Sequence, residues 1–191
     1  MGKRFDALGP DHIAFIGEQA MFFVATAPQT GRVNLSPKGM DALRVLTPCR
    51  ILWLNLTGSG NETAPHLADD PRITLMWCSF GPRPLILRAY GHARALHPDH
   101  AEWPTLSALL PDQPGARQII DVTVDLVQSS CGYAVPQMEF TAERGVLRDW
   151  AIAKGPDGVA DYWGMRNTET IDGRPTGMAA HLPADLPSGH R

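Results

Sequence analysis

Residues 50–67 read RILWLNLTGSGNETAPHL. The run from Arg50 to Leu56 is almost continuously apolar, and in so short a segment that pattern indicates a strand buried on both faces. The chain then changes character. Thr57, Gly58, Ser59, Gly60, Asn61, Glu62 and Thr63 supply glycines, hydroxyls and an amide but no positive charge. From Asn61 to Asp69 the sequence suits a short helix. Glycines 58 and 60 let backbone approach a guest closely, the side chains can donate hydrogen bonds, and a helix start turns free N–H groups toward the same place. Such a bend suits an anion, whose balancing cation must then come from another segment.

Further strands appear on either side. Upstream, Pro10–Gln19 reads as a short helix, Met21–Ala27 (MFFVATA) as a strand, PQTGR as a turn and Val33–Ser36 as the returning strand of a hairpin, which Pro37-Lys38-Gly39 ends. Downstream, Arg72–Phe80 (RITLMWCSF) and Leu85–Leu96 (LILRAYGHARAL) are strands joined by GPRP, and Gly91 suggests a bulge or bend. HPDHAEWPTLSALL reads as a helix after Pro98. In Gln118–Gln128 the residues Val122, Val124 and Leu126 alternate with Asp121, Thr123 and Asp125. These make six strands with short, mostly antiparallel connections and no βαβ repeat. The expected fold is mainly β with short helices: a six-stranded antiparallel barrel, closed or nearly closed to remove its edges. After Ser130 the pattern becomes helical over Phe140–Lys154 and Asp157–Met165, and HLPADLPSGHR is Pro/Gly-rich. The expected division is residues 1–130 as the barrel domain, 131–178 as a helical and irregular extension packing on the barrel or a partner subunit, and 179–191 as a loose tail.

Composition narrows the function. A chain of 191 residues with a hydrophobic fraction of 43% and a charged fraction of 19% suits a globular domain with a real core. A net charge of −3 provides no general attraction for nucleic acid or an anionic membrane, so neither is expected as a partner. Cys49, Cys78 and Cys131 are widely spaced and form no CxxC pair, which points away from a zinc site and toward reduced thiols. The N-terminus has no apolar core of a signal peptide and no stretch is long enough to span a bilayer, so a cytoplasmic protein is expected. No Ser/His/Asp or Cys/His arrangement stands out as a protein nucleophile.

The ordered set FFVATAPQTGRVNLSPKG, WLNLTGSGNETAPHL, DPRITLMWCSF and LILRAYGHARAL resembles the pyridoxamine 5′-phosphate oxidase-like, FMN-binding split-barrel superfamily. It is most similar to the branch without an assigned reaction that carries NxSPKG and GSGNET signatures, which CGYAVP (131–136) and YWGMRNTETIDG (162–173) also match. The resemblance covers about residues 10 to 175. It implies a split β-barrel, a homodimer, and FMN held in two clefts at the dimer interface. The function implied is that of an FMN-dependent oxidoreductase acting on a small-molecule substrate. The same fold also hosts non-catalytic flavin- or haem-binding proteins and deazaflavin-dependent reductases.

The resemblance places Thr57 and Asn61–Thr63 where phosphate contacts lie, with Gly58 and Ser59 completing the bend. Asn34 and Ser36 share one strand face and are expected to line the ring or ribityl cleft. Relatives often carry Arg or Lys at the positions of Glu62 and Thr63, and this chain does not. Glu62 is therefore expected to cap the helix or pair with a cation. The missing positive charge is expected from Lys38, with Arg32, Arg88 and Arg50 as weaker candidates. Alone, GSGNET also reads as a plain helix start and Lys38 as a surface lysine; the order of the motifs favours the site. His66 is expected to pack or cap. His97-Pro98-Asp99-His100 reads as a helix start, with no metal. Cys131 reads as a buried structural thiol, and Trp77, Trp150 and Trp163 as core or interface aromatics. Asn167 and Asp172-Gly173 match a signature to which the sequence assigns no role beyond a tight turn.

Overall fold

The structure is a computed structural model that describes residues 2–183; the last part of the tail, 184–191, lies outside the described residues. In chain order the elements are β1 (Lys3–Phe5), α1 (Pro10–Gly17), β2 (Phe22–Thr26), β3 (Asn34–Lys38), β4 (Leu43–Thr47), β5 (Arg50–Leu56), α2 (Thr63–Asp69), β6 (Arg72–Cys78), β7 (Ile86–Leu96), α3 (Trp103–Ser107), β8 (Ala116–Ser130) and α4 (Val146–Arg166), followed by a 3-10 turn at Met178–His181. All strand pairings are antiparallel, in the order β3-β2-β6-β7-β8-β5-β4, with β1 added to β8. The expected mainly-β class with short helices holds. The expected count of six does not, because the described residues contain eight strands. β1 is only three residues long, and it is a strand because Lys3, Arg4 and Phe5 pair with Ser129, Gln128 and Val127. β4 lies between two turns, and its pairing with β5 makes it a strand.

The middle of β5, Ile51–Leu54, is apolar on both faces because each face feeds a different core. Ile51 and Trp53 join Phe22, Val24, Leu75, Trp77, Val122 and Val127 in the main core. Leu52 and Leu54 join Ala42, Leu96, Leu106 and Ile119 in a smaller one. Phe22 lies 5.7 Å from Trp53 and 6.1 Å from Trp77, centroid to centroid, within the range of favourable aromatic pairs.

The β7–β8 ladder breaks register between Tyr90 and Gly91, leaving Asp125 as the extra residue on β8. A Cβ at Gly91 would lie 1.9 Å from the Thr123 carbonyl oxygen, so only glycine allows this approach. The bulge reverses the phase of β8. Val127 rather than the expected Leu126 is fully buried beyond it.

The expected helix after Pro98 is confined to Trp103–Ser107, and the stretch from Phe140 to Gly145 is not helical. α4 joins the two expected helices across a kink at Gly155, which has φ 66°, and Pro156. No described helix is long and apolar enough to cross a membrane.

Candidate functional site

A cavity of about 690 Å³ opens where the ends of β3 and β5, the bend 57–63, the start of β8 and the segment after α4 converge. Its polar floor is a chain of side chains. Lys38 Nζ donates to Asn55 Oδ1 at 3.2 Å, and Asn55 Nδ2 donates to Gln118 Oε1 at 2.9 Å. Asn55 and Gln118 are 2% and 0% exposed, fixed by the β5–β8 ladder that sets them opposite one another.

Arg117, next along β8, is 3% exposed and lines the cavity. Its Nη1 donates to the Gly60 carbonyl at 3.0 Å and to Asn167 Oδ1, while its Nε is buried without a partner. Among the described residues neither Lys38 nor Arg117 is paired with a carboxylate. Burial, and then the charge of Arg117, push the Lys38 ammonium down to about 8. Burial likewise pushes the Arg117 guanidinium down to about 10. Both shifts have the sign expected when cations leave water without a counter-ion. The cavity therefore has a field suited to an anion.

Of the residues expected in the site, Asn34, Ser36, Lys38, Gly58, Ser59, Glu62 and Thr63 line this cavity. Asn34 Nδ2 donates to Ser36 Oγ at 3.2 Å and reaches Thr63 Oγ1 at 3.5 Å, which joins the hairpin to the bend. Thr57 and Asn61 do not line it. The Thr57 hydroxyl donates to the Gly115 carbonyl at 2.7 Å and accepts from Trp163 Nε1 at 2.8 Å, so it locks the bend to α4. The Asn61 side chain is 1% exposed and its polar atoms have no partner.

Glu62 does not cap α2, which has no side-chain cap bond. Its Oε1 instead accepts the Ile171 N–H at 3.0 Å. Lys38 is the one cation candidate from the sequence whose side chain enters the floor network. Arg32 pairs with Asp172, Arg50 with Asp121, and Arg88 reaches Ser130.

The sequence reading missed Arg117. It sits just before the alternating part of β8, where the pattern gives no sign of its face. Asn167 also gains a role. It is fully buried, accepts from Arg117 and donates to the Gly58 carbonyl at 3.1 Å. The Thr176 hydroxyl donates to its carbonyl, and the Asp172 carboxylate accepts the Arg32 N–H at 2.8 Å. The segment from Asn167 to Thr176 is thus a clasp over the bend and the hairpin.

Other residues stand apart from this site. Cys131 is exposed rather than buried. His97 stacks on His181 with centroids 3.6 Å apart, in a turn that precedes α3 rather than at its start. Trp77 is in the core, and Trp150 meets Tyr162 edge-on at 5.0 Å. Among the described residues no group of three or more His, Cys, Asp or Glu is arranged to hold a metal ion.

Comparison with known proteins follows the same outline. The family model described as pyridoxamine 5′-phosphate oxidase matches residues 8–131. A pyridoxamine 5′-phosphate oxidase family protein of Aspergillus flavus, ustO, is 31% identical over 178 residues, covering 82% of this chain and 70% of that protein. Two crystal structures share the fold. A candidate pyridoxamine 5′-phosphate oxidase from Lactobacillus delbrueckii has a TM-score of 0.53 at 17% identity, covering 64% of this chain and 94% of its own. The HupZ protein of Group A Streptococcus has a TM-score of 0.51 at 17% identity, covering 64% of this chain and 98% of its own.

Proposed function

The chain belongs to the pyridoxamine 5′-phosphate oxidase family, and from that premise we propose that the cavity binds FMN and that the protein is an FMN-dependent oxidoreductase acting on a small molecule. The observation that carries this reading is the pair of cations, half-buried Lys38 and buried Arg117, lining one cavity without a carboxylate partner. A phosphate monoester, with about two negative charges at neutral pH, would compensate both. The Arg117 Nε, buried without a partner, is a donor waiting for such an oxygen.

The residues present fit the group. Lys38 and Arg117 would supply the charge, Ser59 and Thr63 hydroxyl contacts, and Asn34 and Ser36 the polar strand face beside the ring or its side chain. Bound flavin supplies hydride or electron exchange; the protein groups bind and orient it. Val33, Leu35 and Ile171 stand on the rim and are 71%, 64% and 73% exposed. An apolar rim of this kind on the edge strand β3 supports a homodimer whose second copy covers the opening.

The test is direct. Purified protein is expected to be yellow, or to turn yellow and quench flavin fluorescence on addition of FMN. Colourless protein that leaves added FMN free would overturn the reading. Reduction of the bound flavin by NADH or NADPH, followed at its visible absorbance, separates an oxidoreductase from a protein that only holds flavin.

A further inference from the structure

Glu62 carries one satisfied oxygen and one that is not. Oε1 accepts the Ile171 N–H, whereas Oε2 is buried without a hydrogen-bond partner. Facing it, His66 Nε2 lies 3.8 Å away, too far for a direct hydrogen bond. His66 is 4% exposed, and its Nδ1 lies 3.1 Å from Thr26 Oγ1. With the Thr26 hydroxyl donating to Nδ1, the ring proton sits on Nε2 and points toward Glu62. Both side chains line the cavity. Together they offer an acceptor and a donor 3.8 Å apart, and a ligand oxygen about 2.8 Å from each would bridge them once Glu62 Oε2, closed off in the ligand-free protein, turns to the cavity.

The chemistry of the gap selects its occupant. An anion would meet a carboxylate at close range, and a cation would meet an N–H donor. A group that both donates and accepts, a hydroxyl, satisfies both. The gap also adjoins the cationic wall, since Gly60, whose carbonyl holds Arg117, is two residues before Glu62. A ligand reaching both places carries a hydroxyl close to an anionic group, as a phosphorylated polyol does.

We infer that Glu62 and His66 form a hydroxyl-binding pair that recognises the polyol chain of the ligand. In the flavin reading, on which this inference rests, that chain is the ribityl group.

Glu62→Gln isolates the effect. Glutamine keeps an oxygen for the Ile171 N–H, but turns an amide donor toward the His66 donor in place of an acceptor. The full-length protein, freed of bound ligand, is titrated with riboflavin and with lumiflavin, which has a methyl group in place of the ribityl chain, and binding is read by fluorescence quenching. Glu62→Gln is expected to weaken riboflavin about tenfold and to leave lumiflavin within about twofold. His66→Phe, which keeps a ring and removes the donor, is expected to show the same selectivity. Unchanged melting curves for either variant confirm that the fold is intact. Equal losses for the two flavins, or no loss for riboflavin, overturn the inference. Wild-type protein that binds neither flavin overturns the flavin reading itself, a different and separable result.

Discussion

Lys38 and Arg117 show what a single side chain contributes here. A lysine pushed down to about 8 from its ordinary 10.5 is held where its charge is unwelcome. In the free protein this is a penalty. Below about pH 8 the folded state must carry this half-buried, poorly hydrated charge, so the cost is fully present there. Between about 8 and 10.5 the unfolded chain binds the extra proton, so the Lys38 contribution to stability improves as pH rises. Lys38→Met is therefore expected to raise the melting temperature of the ligand-free protein at pH 7, with a gain that shrinks as pH approaches 10.5. The same variant is expected to bind FMN more weakly by about 1.5–3 kcal/mol, with a much smaller change for riboflavin, if the ammonium meets the phosphate. A bound anion would raise the lysine pKa again, so wild-type affinity for FMN is expected to fall as pH rises through about 8, and that for riboflavin to vary less. Fluorescence titrations across pH check both slopes.

At the level of elements, two features control how the site is held. The bulge at Gly91 has no room for a methyl group against the Thr123 carbonyl. Gly91→Ala is expected to cost about 3 kcal/mol or more, read by urea denaturation. The clasp after α4 depends on Asn167, buried between Arg117 and the Gly58 carbonyl. Asn167→Ala is expected to destabilise the protein by about 1–3 kcal/mol and to open the segment 167–177 to limited proteolysis before the sheet melts. The strands that the sequence reveals are those with long apolar or alternating runs, such as MFFVATA and RILWLNL, because burial there dictates residue type. β1 and β4 are hidden because a three-residue edge and a strand squeezed between turns owe their existence to pairing partners. Arg117 and Asn167 are hidden for a related reason. Their roles arise from contacts between positions 50 residues apart in the chain, and no local pattern records them. The bend itself was visible because glycine and hydroxyl residues after a buried strand serve few purposes, yet Thr57 and Asn61 proved to face the scaffold rather than the cavity.

For the molecule as a whole, the open side of the cavity is the feature that matters. On the edge strand β3, Asn34 and Ser36 line the cavity, while Leu35 and, just before the strand, Val33 stand exposed on its rim. Leu35→Asp is expected to shift the protein from dimer to monomer in light scattering and to weaken flavin retention. A wild-type monomer at micromolar concentration would end the dimer proposal. The clasp carries one more consequence. The cavity takes its walls from the hairpin near residue 34, the bend near 60, the strand start at 117 and the segment around 170. A nascent chain leaving the ribosome thus exposes its bend long before Asn167 arrives to fasten it. Any ligand capture is then expected only after the chain has emerged past residue 167, and a message truncated ahead of codon 167 is expected to yield a sheet without a finished pocket.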